Sequence, residues 1–371
     1  MTNKQLLHTP EGVRDIYGLE YKRKLTIQKQ IRRSITSFGY EAIQTPTFEF
    51  FDVFSKEVGT TPSKNLYKLI DKDGNTLVLR PDFTPSIARC AAKYFMNAER
   101  PLRFTYEGNT FVNTSHLQGK LKETTQMGAE LIMDDSVEAD AELLAMVVAA
   151  LQATGLEQFQ ISVGHMDYFK GLCEEAGLSL EAENSLREAI SGKNMFAAKD
   201  LLDALDIQKQ TRDALLEVAD LFGSLQDLSY AKSLAHNPRS IAAIERLEQL
   251  KKLLECYDIA QYVSFDLGML SQYHYYTGIV FKAFTYGIGD AIVKGGRYDH
   301  LLEFFGKKAP AVGFMVIVDD ILEALEHQKI AIPVEESAVS ITYTADTFEQ
   351  ALQQAKELRS TGKAVILTKE I

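Results

Sequence analysis

The sequence predicts an α+β fold: an antiparallel sheet flanked by helices, interrupted by a helical insertion and followed by a partial C-terminal α/β unit. Three patterns point there. Strand and helix patterns mix through the first part of the chain, residues 168–258 carry helical periodicity alone, and strand patterns then return before a strand, helix and strand close the sequence. The expected division is 1–167 and 259–330 for the two parts of one core, 168–258 for the insertion and 331–371 for the partial unit.

The first helix runs from Glu20 to Phe38, with Ile27, Ile31, Ile35 and Phe38 on one face and Gly39 as its C-terminal cap. "YEAIQTPTFEF" reads as extended chain, and "DKDGN" as the turn of a hairpin, with Asp73 and Gly74 supplying its chemistry. Arg103 to Ile132 reads as a strand, a polar loop around Gly119 and a returning strand. Asp135 or Ser136 caps the next helix, Gly155 ends it, and "EQFQISVGHM" alternates as a strand.

From Tyr168 to Asp258 the apolar positions are helical only: Phe196, Leu201, Leu202 and Leu205, then Leu215, Leu216, Val218 and Phe222, then Ile244, Leu247, Leu250 and Leu254. "QYVSFDLGM", "YYTGIVFKAFTY" and "DAIVKGG" restore strands, and "AVGFMVIVDDILEALEHQ" runs from strand into helix. After "IAIPVEE" the strand, helix and strand that remain make half of a small α/β unit.

A chain of 371 residues, with 46% hydrophobic and 25% charged residues, suits two or three globular domains at roughly 100 to 200 residues each. The balance of 51 acidic against 40 basic residues, net charge -11, disfavours a broad nucleic-acid surface. Cys90, Cys173 and Cys256 lie far apart, so no disulfide framework is expected and a reducing cytoplasm fits. The polar N-terminus is unlike a signal peptide, and "LLAMVVAAL" falls short of the ~20 residues that span a bilayer, so no membrane role is expected. Seven scattered histidines without metal-ligand spacing imply no metal, and no cofactor is expected.

Several polar groups, placed by this reading at strand ends or turns, are candidates to converge. They are Asp82 and Thr84 in "LRPDFTP", Gln126 and Glu130 in "TQMGAEL", Tyr275 and Tyr276 in "YYTG", and Tyr298 in "GGRYD". Carboxylates beside amide and phenol groups suit a small ligand with an amino group and a polar ring, whereas the plain alternative is the polar rim of a sheet. "GGRYD" lacks the lysine of a phosphate loop and reads as a crowded bend at a strand end.

In order, "TPEGVRDI", Gly39 to Pro46, "LRPDFTPSIAR", "TTQMGAELI", "YYTGIVF", "GGRYDHLL" and "AVGFMVIVDDIL" resemble the catalytic domain of class II histidyl-tRNA synthetases, from about Thr9 to His327. The resemblance implies a class II aminoacyl-tRNA synthetase-like antiparallel sheet of six or more strands. It also implies a histidine pocket of Asp82, Thr84, Gln126, Glu130, Tyr276 and Tyr298, shaped by Tyr275, Gly295 and Gly296. Asp82 stands where the family usually carries glutamate.

The resemblance breaks at the arginines that stabilise phosphate charge during adenylation. Val112 and Thr114 replace the arginine and glutamate of the second motif, Ser271 replaces the arginine of the histidine-specific motif, and Asp320 replaces that of the third. Losing one such donor commonly costs about 10² to 10³ in rate. Lys120 and Lys122 offer a substitute for phosphate contact, or are solvated loop lysines.

A histidine pocket without these arginines is similar to the regulatory subunits of ATP phosphoribosyltransferase, a synthetase-derived family of histidine biosynthesis. That resemblance implies a non-catalytic partner of a short-form catalytic subunit and L-histidine as effector. It further implies a homodimer, formed through Gly39 to Pro46 and joined into a hetero-octamer, and no tRNA. The competing readings are a divergent synthetase-like enzyme or amino-acid ligase, and a tRNA-binding module without catalysis.

Overall fold

The computed structural model describes residues 7–54, 61–114, 120–205, 207–223, 225–270, 275–334 and 338–370. Helix α1 (Gly18–Thr36) buries Ile27, Ile31 and Ile35, and Gly39 takes φ +83° where the chain turns away from it. Strands β1 (Glu41–Ala42), β2 (Phe48–Phe50), β3 (Lys68–Ile70) and β4 (Thr76–Leu79) follow, with β2, β4 and β3 forming a small sheet. The β3–β4 turn uses Gly74 as expected, but Asp71 rather than Asp73 supplies the side chain, accepting the backbone N–H groups of Asp73 at 2.9 Å and Asn75 at 2.8 Å. Asp71 stands at the start of the turn, where its carboxylate reaches the amides two and four residues further on.

Helix α2 (Thr84–Tyr94) precedes the long hairpin β5 (Leu102–Phe111) and β6 (Glu123–Ile132), whose loop at Gly119 lies outside the described residues. Helix α3 (Val137–Ala153) is capped by the Ser136 hydroxyl, which accepts from the Ala139 N–H at 3.1 Å. Strand β7 (Phe159–His165) leads into α4 (Met166–Glu175), α5 (Leu180–Ser191), α6 (Met195–Asp203) and α7 (Lys209–Glu217). Strand β8 (Phe222–Gly223), α8 (Leu225–Leu234) and α9 (Pro238–Cys256) complete this part. The expectation of helices alone is corrected here, because β8 pairs with β9 (Val263–Asp266) and adds an edge strand to the sheet.

The core resumes with β10 (Ile279–Thr285), β11 (Val293–Arg297), β12 (Ala311–Ile317) and α10 (Val318–His327). The tail forms β13 (Val339–Tyr343), α11 (Phe348–Ser360) and β14 (Val365–Lys369), with the two strands parallel. The main sheet has nine strands in the order β1-β5-β6-β12-β11-β10-β7-β9-β8. It is mixed rather than purely antiparallel, since β1 runs parallel to β5 and β7 parallel to β9. Each parallel pair is joined by an intervening crossover, which a tight hairpin cannot provide.

Side-chain alternation divides this sheet into two faces. Met127, Ala129 and Leu131 of β6, with Val312, Phe314 and Val316 of β12, join the core under α1, α3 and the inserted helices. The opposite face carries Phe104 and Tyr106 of β5 against Phe83, Ile87 and Ala91 at α2. The two glycines of "GGRYD" lie inside β11, so they belong to an extended strand and not to a bend at its end; the crowding is real and comes from the Phe281 and Tyr276 rings together with the Gly313 and Ile279 carbonyls.

One buried ionic cluster joins the insertion to the sheet. Asp140 of α3, fully buried, accepts from Arg297 of β11 at 2.7 and 2.9 Å and from Arg246 of α9 at 2.8 Å. Arg297 also reaches the Asp134 carbonyl, and Arg246 the Asp135 carbonyl, each at 2.9 Å. Removing the shared carboxylate leaves Arg297 buried with only the longer contact to Asp299, at 3.4 Å, to balance its charge. Asp140→Ala should therefore cost about 3 to 5 kcal/mol of stability, read as a lowered urea midpoint at unchanged slope.

Candidate functional site

The open face of the sheet is shaped by what β12 and β11 lack. Gly313 of β12 lies opposite Glu130 of β6, and a Cβ at Gly313 would collide with the Glu130 carboxyl group. Gly296 of β11 lies opposite Gly313, and a Cβ there would come within 2.7 Å of the Tyr276 ring. Glycine at both positions opens a trough that Glu130 enters from one side and Tyr276 covers from the other.

Glu130 is only 1% exposed. Its Oε1 accepts from the Thr84 hydroxyl at 2.8 Å, and its Oε2 bonds to the Tyr298 phenol. Burial pushes its carboxyl up to about 8, with Asp82 adding to the rise, although the bonds from Tyr298 and Thr84 pull the other way. Asp82 sits at the amino end of α2, where its Oδ1 accepts the N–H groups of Phe83 at 2.6 Å and Thr84 at 3.3 Å.

Gln126, two turns of the alternation away on the same strand face, is 7% exposed and its Oε1 has no hydrogen-bond partner among the described residues. A buried acceptor of this kind is free to receive a hydrogen bond from the cavity side. Tyr275 packs on Tyr276 with ring centroids 4.6 Å apart and meets Tyr298 edge-on at 5.9 Å. All seven candidates, Asp82, Thr84, Gln126, Glu130, Tyr275, Tyr276 and Tyr298, thus line one cavity of about 1690 Å³. Gln126 and Glu130 occupy the body of β6 rather than a strand end, because alternate residues of that strand face the cavity.

The cavity extends past Val112 and Thr114 to a charged wall formed by Lys120, Asp290, Lys294, Asp319, Asp320 and Glu323. Both of its lysines are already engaged: Lys120 pairs with Asp290 at 2.9 Å, and Lys294 lies 3.5 Å from the same carboxylate. Lys122 uses its backbone N–H on the Gly12 carbonyl at 2.7 Å. Asp319 bridges α1 and β6, accepting from Lys24 at 2.7 Å and from the Thr125 N–H at 2.6 Å. Burial, together with Asp290, Asp319 and Glu323, pushes the Asp320 carboxyl up to about 6. Ser271 lies outside the described residues. Two arginines do reach the cavity from the N-terminal segment, Arg14, paired with Glu20 at 2.5 Å, and the exposed Arg23.

Sequence reasoning missed Gly313, the Lys24–Asp319 pair and Tyr106, whose hydroxyl donates to the Phe314 carbonyl at 3.3 Å behind the pocket. Aligning the alternation of "AVGFMVIV" against that of "TQMGAELI" was the available signal for Gly313. The other two depend on elements remote in sequence. No group of three or more His, Cys, Asp or Glu side chains that could hold a metal occurs among the described residues, and Cys90, Cys173 and Cys256 are free thiols.

Comparison with known proteins places this geometry. The family model described as histidyl-tRNA synthetase matches residues 12–321. A curated ATP phosphoribosyltransferase regulatory subunit from Acetivibrio thermocellus is 40% identical over 97% of this chain and 86% of its own length. A crystal structure from Bacillus halodurans, described as an ATP phosphoribosyltransferase regulatory subunit/histidyl-tRNA synthetase, superposes with a TM-score of 0.90 at 32% identity, covering 98% of this chain and 93% of that one. Histidyl-tRNA synthetase from Nostoc shares the fold, with a TM-score of 0.82 at 21% identity over 98% of this chain and 86% of that one. On its fold, its pocket-bearing sheet and this full-length similarity, the chain belongs to the histidyl-tRNA synthetase-like family of ATP phosphoribosyltransferase regulatory subunits.

Proposed function

We propose that this chain is the non-catalytic regulatory subunit of an ATP phosphoribosyltransferase, sensing L-histidine in the pocket around Glu130 and activating a separate short-form catalytic subunit at the first step of histidine biosynthesis. The observation that carries this reading is the split character of the cavity. One end offers Glu130, Gln126, Asp82 and Tyr298 to a small polar ligand, while the other presents Val112, Asp319, Asp320 and Glu323 where a polyphosphate would need fixed positive charge. Carboxylates at that wall repel phosphate oxygens. The pocket thus serves recognition, and the partner carries the chemistry.

Assembly follows the same reading. Strand β1 lies at the edge of the main sheet, and β2 and β3 leave Phe48, Phe50 and Leu69 about half exposed on one face of the small sheet. A two-fold dimer through Gly39 to Pro46 covers this region, and such homodimers join catalytic subunits in a hetero-octamer in the cytoplasm. Histidine then alters flux by binding two assembly states with different affinity, and a coupling of ~1 to 3 kcal/mol gives about 5- to 150-fold inhibition.

Arg14 and Arg23 at the cavity mouth favour one second reading, a divergent synthetase-like enzyme or amino-acid ligase with its phosphate contacts supplied from the N-terminal segment. Histidine-dependent exchange of pyrophosphate into ATP separates the two. The regulatory reading expects no exchange above background, and exchange within about 10² of an ordinary synthetase turnover of ~1 to 10³ per second overturns it.

Glu130→Ala should weaken histidine binding by roughly 2 to 5 kcal/mol in calorimetry, and unchanged affinity removes Glu130 from the site. Mixed with a short-form phosphoribosyltransferase from the same genome, the chain should co-sediment with it, raise its activity and make it sensitive to histidine. Independent sedimentation, with activity indifferent to this chain and to histidine, refutes the regulatory assignment.

A further inference from the structure

The two carboxyl groups of the pocket have different surroundings. Asp82 is partly exposed at the amino end of α2, a position that favours negative charge and suits the ligand's ammonium group. Glu130 is buried, bonds to the hydroxyl groups of Thr84 and Tyr298, and has no cation paired with it among the described residues. The groups that bear on it are Asp82 and Thr84 from the start of α2, Tyr106 from β5, Tyr276 from the segment before β10, Tyr298 after β11 and Tyr40 between α1 and β1. Strand β12 presents only Gly313. None of these groups is positively charged, and burial accordingly pushes the Glu130 carboxyl up to about 8.

A carboxyl group that keeps its proton at neutral pH treats ligands unequally. A standing cation placed against it gains full charge pairing only after that proton has left for solvent. A neutral base can accept the proton in place. An imidazole, with an ordinary value near ~6.5, is such a base at neutral pH. We propose that Glu130 selects the ring of the ligand by transferring its proton to the ring nitrogen, so that the occupied pocket holds one proton in a carboxylate–imidazolium pair. The Glu130 O–H bond breaks, the ring N–H bond forms, and near neutrality almost nothing is exchanged with solvent. This rests on the histidine reading of the pocket and adds to it a charge rule that disfavours lysine and arginine.

The sign of the pH dependence follows. Above about pH 8 the empty pocket has lost the Glu130 proton and must regain one to bind, so affinity falls by up to about tenfold per pH unit. Below about pH 6.5 the free imidazole is charged and one proton must leave, so affinity falls again.

The experiment is calorimetric titration of the full chain with L-histidine in buffers of contrasting ionisation enthalpy, with Glu130→Gln as the control. The expected net exchange is near zero at about pH 7. Above about pH 8 the wild type should show a net proton uptake, growing with pH, that the variant lacks. Nitrogen-15 spectra of bound labelled histidine at about pH 8 should show both ring nitrogens protonated in the wild type. Release of nearly one proton at about pH 7 places a standing cation against Glu130 and overturns the proposal, as does a neutral ring in the bound state. A variant that fails to bind leaves these two wild-type readings decisive. Absence of histidine binding to the wild type, by contrast, overturns the histidine assignment itself and this inference with it.

Discussion

The alternation of side chains along β6 and β12 is the constraint on which both core and pocket depend. Met127, Ala129 and Leu131 must face the helices to be buried, and that choice sends Gln126 and Glu130 to the other face. The register with β12 then sets Gly313 opposite Glu130, which is the space the carboxyl group occupies. A slip of one residue would drive a carboxyl group into the apolar core and turn a leucine towards the cavity. The hydrophobic effect therefore positions the polar groups of the cavity, although it contributes no specificity of its own.

The Asp140 cluster extends that order to the insertion. Arg297 is the last residue of β11 and stands next to Tyr298, so the strand end that aims the phenol at Glu130 is itself tied to α3 and, through Arg246, to α9. Buried ion pairs contribute little net stability against apolar replacements, but a broken one is costly, and this asymmetry makes the arrangement intolerant of alternatives. The inserted helices are thereby held at a defined place against the sheet, on the face opposite the pocket.

Electrostatics distinguishes the two ends of the cavity. At one end a carboxyl group is buried among hydroxyl groups; at the other, four carboxylates gather with lysines that already have partners. A family fold built for adenylation can lose that chemistry and keep ligand recognition because the two tasks use different side chains on one rigid sheet.

Much of this protein is legible in the sequence. Apolar periodicity places the first helix, the long β5–β6 hairpin, α3 and the strands that follow the insertion, Ser136 caps α3, Gly39 turns the chain after α1, and the seven candidate residues stand out as polar groups near strands. Each of these follows from local rules of backbone conformation and side-chain period. The tertiary structure alone decided the rest: the parallel edges of the sheet, the pairing of β8, the choice of Asp71 for the turn, the Lys24–Asp319 bridge, and above all the burial of Glu130 among hydroxyl groups, which pushes its carboxyl up. A glutamate in a sequence is simply an acid. Whether it carries its proton depends on how much water is excluded and which groups surround it, and those groups come from α2, β5 and β11, segments that only folding brings together.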